Sequence, residues 1–230
     1  MKQLLALIII TLISCGSSLE DTTINRITQD TICANSRFFG EIEICLPEID
    51  GMTESYSYSQ VKKRSDLFSY NNNTVLGLYL SKQNFSKLDN FENEGLDDYF
   101  KVYALNMLEG IEIGESKFKE LEDLSKGNYI QKNWEDIEET ILSGNTDLSL
   151  GRPVQIDSYK PTKNISTTIF IVKMMYGSEE RISVLTLNMV RLKKTLIYYA
   201  YYKNYLNPKT IEQVRAKNDL FGYKLLEINN

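Results

Sequence analysis

Residues 165–175, ISTTIFIVKMM, decide how this chain folds. Ile, Thr, Phe and Val dominate the run, and such side chains suit the pleated, half-buried surface of a strand. Tyr176-Gly177-Ser178 turns it, and a second β-rich run, RISVLTLNMV, occupies 181–190. Arg191-Leu192-Lys193-Lys194 then makes a basic turn before a third run, TLIYYAYYKNY, at 195–205. Three strands joined by tight connections predict an antiparallel meander. Next, Asn207-Pro208 offers a helix N-cap followed by proline at the first helical position. Beyond it Ile211, Val214, Phe221 and Leu225 recur at three- and four-residue spacings, with Leu220 beside them. A helix with such a face must bury it, and the preceding sheet is the obvious surface.

Upstream, residues 37–46 alternate so that Phe38, Gly40, Ile42, Ile44 and Leu46 share one face, which predicts a strand ended by Pro47. Residues 56–59 suit a short strand. The Asn71-Asn72-Asn73 cluster is a turn before a strand at 74–80. The composition of 99–108 permits a strand or a short helix. A helix is expected at 115–127, with Phe118, Leu121 and Leu124 on one stripe and Gly127 as its stop. Another is expected at 134–142, and a short strand over Val154, Ile156 and Ser158, before Pro161. The fold class is therefore α+β, an antiparallel sheet covered by helices.

The order resembles the Mog1/PsbP-like α/β/α sandwich. The stretches that carry the resemblance are 39–47 as the early strand, 118–124 as the mid-chain helix, 166–205 as the long strands and 207–228 as the closing helix. It implies a fold without a shared catalytic site.

At the other end, Lys2 precedes an apolar run at 4–13 that is too short for a bilayer, which takes about 20 residues. Leu12-Ile13-Ser14-Cys15 follows and resembles the lipobox of bacterial lipoproteins. The resemblance implies that Cys15 receives a diacylglyceryl group and becomes the mature N-terminus. Residues 1–14 are then a signal peptide, 15–35 a flexible tether and 36–230 a single α+β domain. The partner so implied is the membrane, reached through the lipid on Cys15. The expected location is the bacterial cell envelope, at the periplasmic or outer surface of the outer membrane. Each buried methylene of an acyl chain contributes roughly 0.8 kcal/mol, so two or three chains hold durably.

Once Cys15 is spent on lipid, Cys33 and Cys45 are the cysteines that remain, and a disulfide between them suits an exported protein. The loop that it closes is of a size for which chain entropy contributes about 3 kcal/mol; a pair of buried free thiols is the alternative.

The net charge is −5, and −6 once Lys2 leaves, with 25 basic residues against 31 acidic. Such a balance opposes binding to nucleic acid. Lys62-Lys63-Arg64, the densest basic patch, reads as a solvated loop. The chain contains no histidine, which excludes Ser-His-Asp and Cys-His catalysis and the HExxH zinc site. No motif implies a metal or cofactor.

Two candidate sites follow. Tyr199, Tyr201 and Tyr205 share one strand face as an aromatic platform for a sugar or peptide; the alternative is that such tyrosines bridge core and rim. Tyr198 and Tyr202 share the opposite face. Carboxylate pairs at Glu41/Glu43, Asp97/Asp98 and Glu135/Asp136 could support a small carboxylate-dependent envelope hydrolase. The main expectation is a non-catalytic binding or accessory domain for an envelope protein or ligand, with the hydrolase as its alternative.

Overall fold

The long strands 165–176, 179–192 and 195–204 pair edge to edge and set the frame for everything else. The computed structural model describes residues 33–67, 69, 72–88, 96–126, 152–176 and 179–230. In chain order these form β1 (Ser36–Phe39), β2 (Ile42–Cys45), β3 (Met52–Glu54), α1 (Ser59–Leu67), β4 (Asn73–Ser81), the one-turn α2 (Lys82–Phe85) and β5 (Asp98–Leu105). A 3-10 turn at Asn106–Leu108 follows, then α3 (Glu115–Lys126), β6 (Val154–Thr162), β7 (Ile165–Tyr176), β8 (Glu179–Leu192), β9 (Thr195–Asn204) and α4 (Lys209–Asn229). β1 and β2 make a separate hairpin; the other strands form one antiparallel sheet ordered β3-β4-β5-β9-β8-β7-β6. The expected meander is β7-β8-β9, and α4 closes it.

Pleating sends successive side chains to opposite faces. One face carries Ile165, Ile169, Val184, Val190, Ile197 and Phe100, which pack with Val214, Phe221 and Leu225 of α4. The β1–β2 hairpin joins this core through Phe39 and Ile44, and Leu46 follows just after it. The opposite face receives Phe118 of α3 on Met189 and Leu196, and Val61 of α1 on Val75, Leu78 and Leu80. The result is an antiparallel sheet with helices on both faces. Among the described residues no helix is long and apolar enough to cross a membrane.

Several elements depart from the sequence expectations. The stretch 37–46 is a hairpin, not one strand, because Gly40 opens a two-residue turn at φ +59°. Glycine tolerates that conformation, and two-residue hairpins favour it. The turn breaks the alternation, so Phe38 is 64% exposed and Phe39 is buried. Residues 56–58 lead into α1 instead of forming a strand, and Lys62-Lys63-Arg64 lie on that helix. Only Val61 and Ser65 of α1 are buried, so it has no apolar stripe to read. The ambiguous stretch resolves into β5 and the 3-10 turn. Leu124 is exposed while Phe118 is buried, which narrows the stripe of α3. Pro161 lies inside β6, tolerated because β6 is an edge strand with an irregular register between Tyr159 and Thr162. Leu220 is exposed, and the α4 face instead buries Thr210, Asn218 and Asn229. Asn207 does cap α4: its Oδ1 accepts from Lys209 N–H at 3.0 Å. The helix expected at 134–142, the pair Glu135/Asp136, and Cys15 with the tether as far as residue 32 lie outside the described residues.

Candidate functional site

β9 aims Tyr199 and Tyr201 at α4, and this removes them from the surface. Their exposures are 0% and 1%. Phe100 stacks on Tyr201 at 4.1 Å between centroids and on Phe221 at 4.6 Å, and Tyr199 lies 4.9 Å from Phe221. The Tyr199 hydroxyl donates to the Asn218 carbonyl at 3.1 Å, and that of Tyr201 to Asp98 Oδ1 at 2.9 Å. Burial pushes both hydroxyls well above their ordinary pKa, with the Asp98 charge adding to the effect at Tyr201. The three-tyrosine platform is corrected accordingly: two of its members are core residues. Tyr205, just past β9, is the third and remains part-exposed.

Tyr205 lines an open groove of about 570 Å³ at one end of the sheet, together with Glu180, Arg181, Ile182, Leu206 and Pro208. The backbone explains its shape. Tyr205 N–H donates to Ile182 O at 2.9 Å and extends the β8–β9 ladder by one residue. Leu206 N–H then donates to Thr210 Oγ1 at 3.2 Å, turning the chain into α4. The turn leaves the Leu206 side chain 79% exposed. The charges at the rim already have partners, Glu180 with Lys173 at 2.7 Å and Arg181 with Glu179 at 2.7 Å. Apolar walls between neutralised charges suit an apolar side chain of a partner better than a charged ligand.

The acidic pairs are dispersed. Glu41 occupies the hairpin turn and Glu43 is exposed on β2. Asp98 faces cations: its Oδ2 lies 2.9 Å from Lys203 Nζ and its Oδ1 3.5 Å from Lys217 Nζ. Desolvation lowers the Lys217 pKa, which Asp98 partly offsets. Both carboxylate oxygens are therefore engaged in ion pairs and are not left for acid–base work. Among the described residues no group of three or more carboxylate or cysteine side chains is arranged to hold a metal.

A buried polar network lies between the sheet and α4, where the sequence pattern predicts an apolar contact. Asn188 Nδ2 donates to Asn218 Oδ1 at 2.8 Å, and Asn218 Nδ2 returns a bond to Asn188 Oδ1 at 3.0 Å. Thr167 donates to Asn188 Oδ1 and Thr186 to Asn218 Oδ1, each at 2.6 Å. All four residues are fully buried. Nearer the edge, Tyr159 donates to Asp219 at 2.7 Å while Arg215 covers its ring at 4.3 Å and pairs with Asp157. The sequence carried one signal for this network: Asn218 falls four residues after Val214 and three before Phe221, on an otherwise apolar stripe.

The hairpin end carries the last feature. Cys33 and Cys45 form a disulfide with Cα atoms 5.4 Å apart. Asn229, at the end of α4, holds the Cys45 backbone from both sides: Cys45 N–H donates to its Oδ1 at 2.8 Å, and its Nδ2 donates to Cys45 O at 2.7 Å.

No protein-family model matches the chain, and no curated protein does either. Solved structures similar to it include the Ran-binding protein Mog1p of Saccharomyces cerevisiae, at 11% identity and a TM-score of 0.34, covering 85% of this chain and 92% of that one. A point mutant of Mog1 is similar at 11% identity and a TM-score of 0.32, with 85% and 93% covered. At these values the likeness concerns fold alone, and the architecture stands on the strand order and helix placement set out above.

Proposed function

We propose that the chain is a bacterial lipoprotein, anchored in the cell envelope by lipid on Cys15, whose α+β domain binds a partner and performs no catalysis. The observation that carries this reading is the cysteine arithmetic. Of three cysteines, Cys33 and Cys45 are joined, and the remaining one stands at the end of Leu12-Ile13-Ser14-Cys15. A disulfide suits an exported chain, and the odd cysteine suits lipidation. Binding is favoured over hydrolysis because Asp98 is held between two lysines, while the Tyr205 groove presents an exposed apolar residue beside a formed wall.

Detergent phase separation tests the anchor. The natural protein should partition with detergent, and Cys15→Ala should move it to the aqueous phase; equal partitioning of both would refute the anchor. For the groove, a photo-crosslinking residue at Leu206 should capture an envelope component that one at Leu67, 73% exposed on α1, does not. Equal capture at both positions would remove the groove from the account.

A further inference from the structure

The route of the chain into the domain has a mechanical consequence. Coming from the tether, the backbone passes Cys33, runs out along β1, turns at Gly40 and returns along β2 to Cys45. Among the described residues β1 pairs with β2 alone, over four register pairs. A two-stranded hairpin of this length is marginal by itself, and tension on its free end would part the pairs one after another.

We propose that the Cys33–Cys45 disulfide and the Asn229 carboxamide together make Cys45 the point where tension from the membrane anchor enters the domain, so that the hairpin carries none. This rests on the lipid-anchor reading. The disulfide bypasses a separation of 12 residues and hands the pull directly to Cys45. There Asn229 grips both backbone polar groups as a neighbouring strand would, and its Nδ2 also donates to Leu225 O at 2.8 Å. Leu46 N–H donates to Asn35 O at 2.7 Å, closing the base of the loop. Ile44 and Leu46, on either side of Cys45, are buried in the main core. Load thus passes from a covalent bond to a buried clamp and then to the 21-residue α4.

Magnetic tweezers on the full mature chain test this, pulling between a handle on the tether and a second, clickable residue at exposed Glu120 on α3. The oxidised chain should show no extension before the domain unfolds. After reductant, or in the Cys33→Ser/Cys45→Ser variant, a step of ~4 nm should come first, the length of about 12 extended residues. One unfolding step at unchanged force in all three samples would overturn the proposal. Asn229→Ala in the oxidised chain should lower the unfolding force; an unchanged force would equally overturn it. The chemical state of Cys15 is read separately by mass. An unmodified Cys15 would therefore end the anchor reading and leave the force steps as measured.

Discussion

Asn188 on β8 and Asn218 on α4 exchange two hydrogen bonds, of 2.8 and 3.0 Å, in the interior between sheet and helix. Their amides fix the height and rotation of α4, since an apolar interface alone tolerates sliding. Asn218→Ala should therefore destabilise the domain by roughly 2–4 kcal/mol, because Thr186 and Asn188 lose a buried partner. Urea denaturation measures the loss. A double-mutant cycle with Asn188→Ala should show strong non-additivity, and additive losses would mean that the pair is not a unit.

Gly222 allows α4 to approach β9. A Cβ there would stand 2.6 Å from the Tyr199 hydroxyl and 2.8 Å from Ile165 Cδ1. Gly222→Ala should cost about 1–3 kcal/mol by overpacking, against a helix-propensity gain of about 1 kcal/mol. Tyr199→Phe removes the closer atom, so the penalty measured in that background should shrink.

Asp98 should stabilise by compensation. Asp98→Asn leaves Lys203 and Lys217 together without their shared counter-charge, and stability should fall by roughly 1–2 kcal/mol, less than for a fully buried pair. Adding Lys217→Met should restore part of the loss in thermal melts. A further fall would contradict the role given to Asp98.

Stability should decline above pH 10. Burial raises the hydroxyl pKa of Tyr79, Tyr199 and Tyr201 above the ordinary 10.0. Above that pH the unfolded chain loses tyrosine protons that the folded one keeps. The stabilisation is full below pH 10 and falls by up to about 1.4 kcal/mol per pH unit for each group. Lys101 and Lys217, lowered by burial, act the other way below 10.5, where rising pH discharges them more readily in the fold. The profile should rise gently, then drop. Part of the tyrosinate absorbance should appear only together with unfolding.

How much of this was legible depended on whether a residue's role was written in its neighbours. The strands β7, β8 and β9 announce themselves through dense β-branched and aromatic runs, and α4 through Val214, Phe221 and Leu225. α1 was hidden because it buries little beyond Val61, so its sequence resembles a charged loop. The hairpin reads as one strand because one positive φ at Gly40 inverts the parity of every residue on its far side. Tyr199 and Tyr201 read in the sequence as a binding platform because a strand's period does not say which face a later helix covers. Tyr205 escaped burial only because the ladder ends there.

Everything about the protein's setting turns on one atom, the sulfur of Cys15. Intact mass and N-terminal peptide mass spectrometry of the protein extracted from membranes tests this most directly. The account predicts a mature chain that begins at Cys15 and carries the mass of thioether-linked diacylglycerol. A chain that begins elsewhere, or a Cys15 with a free thiol, would contradict it.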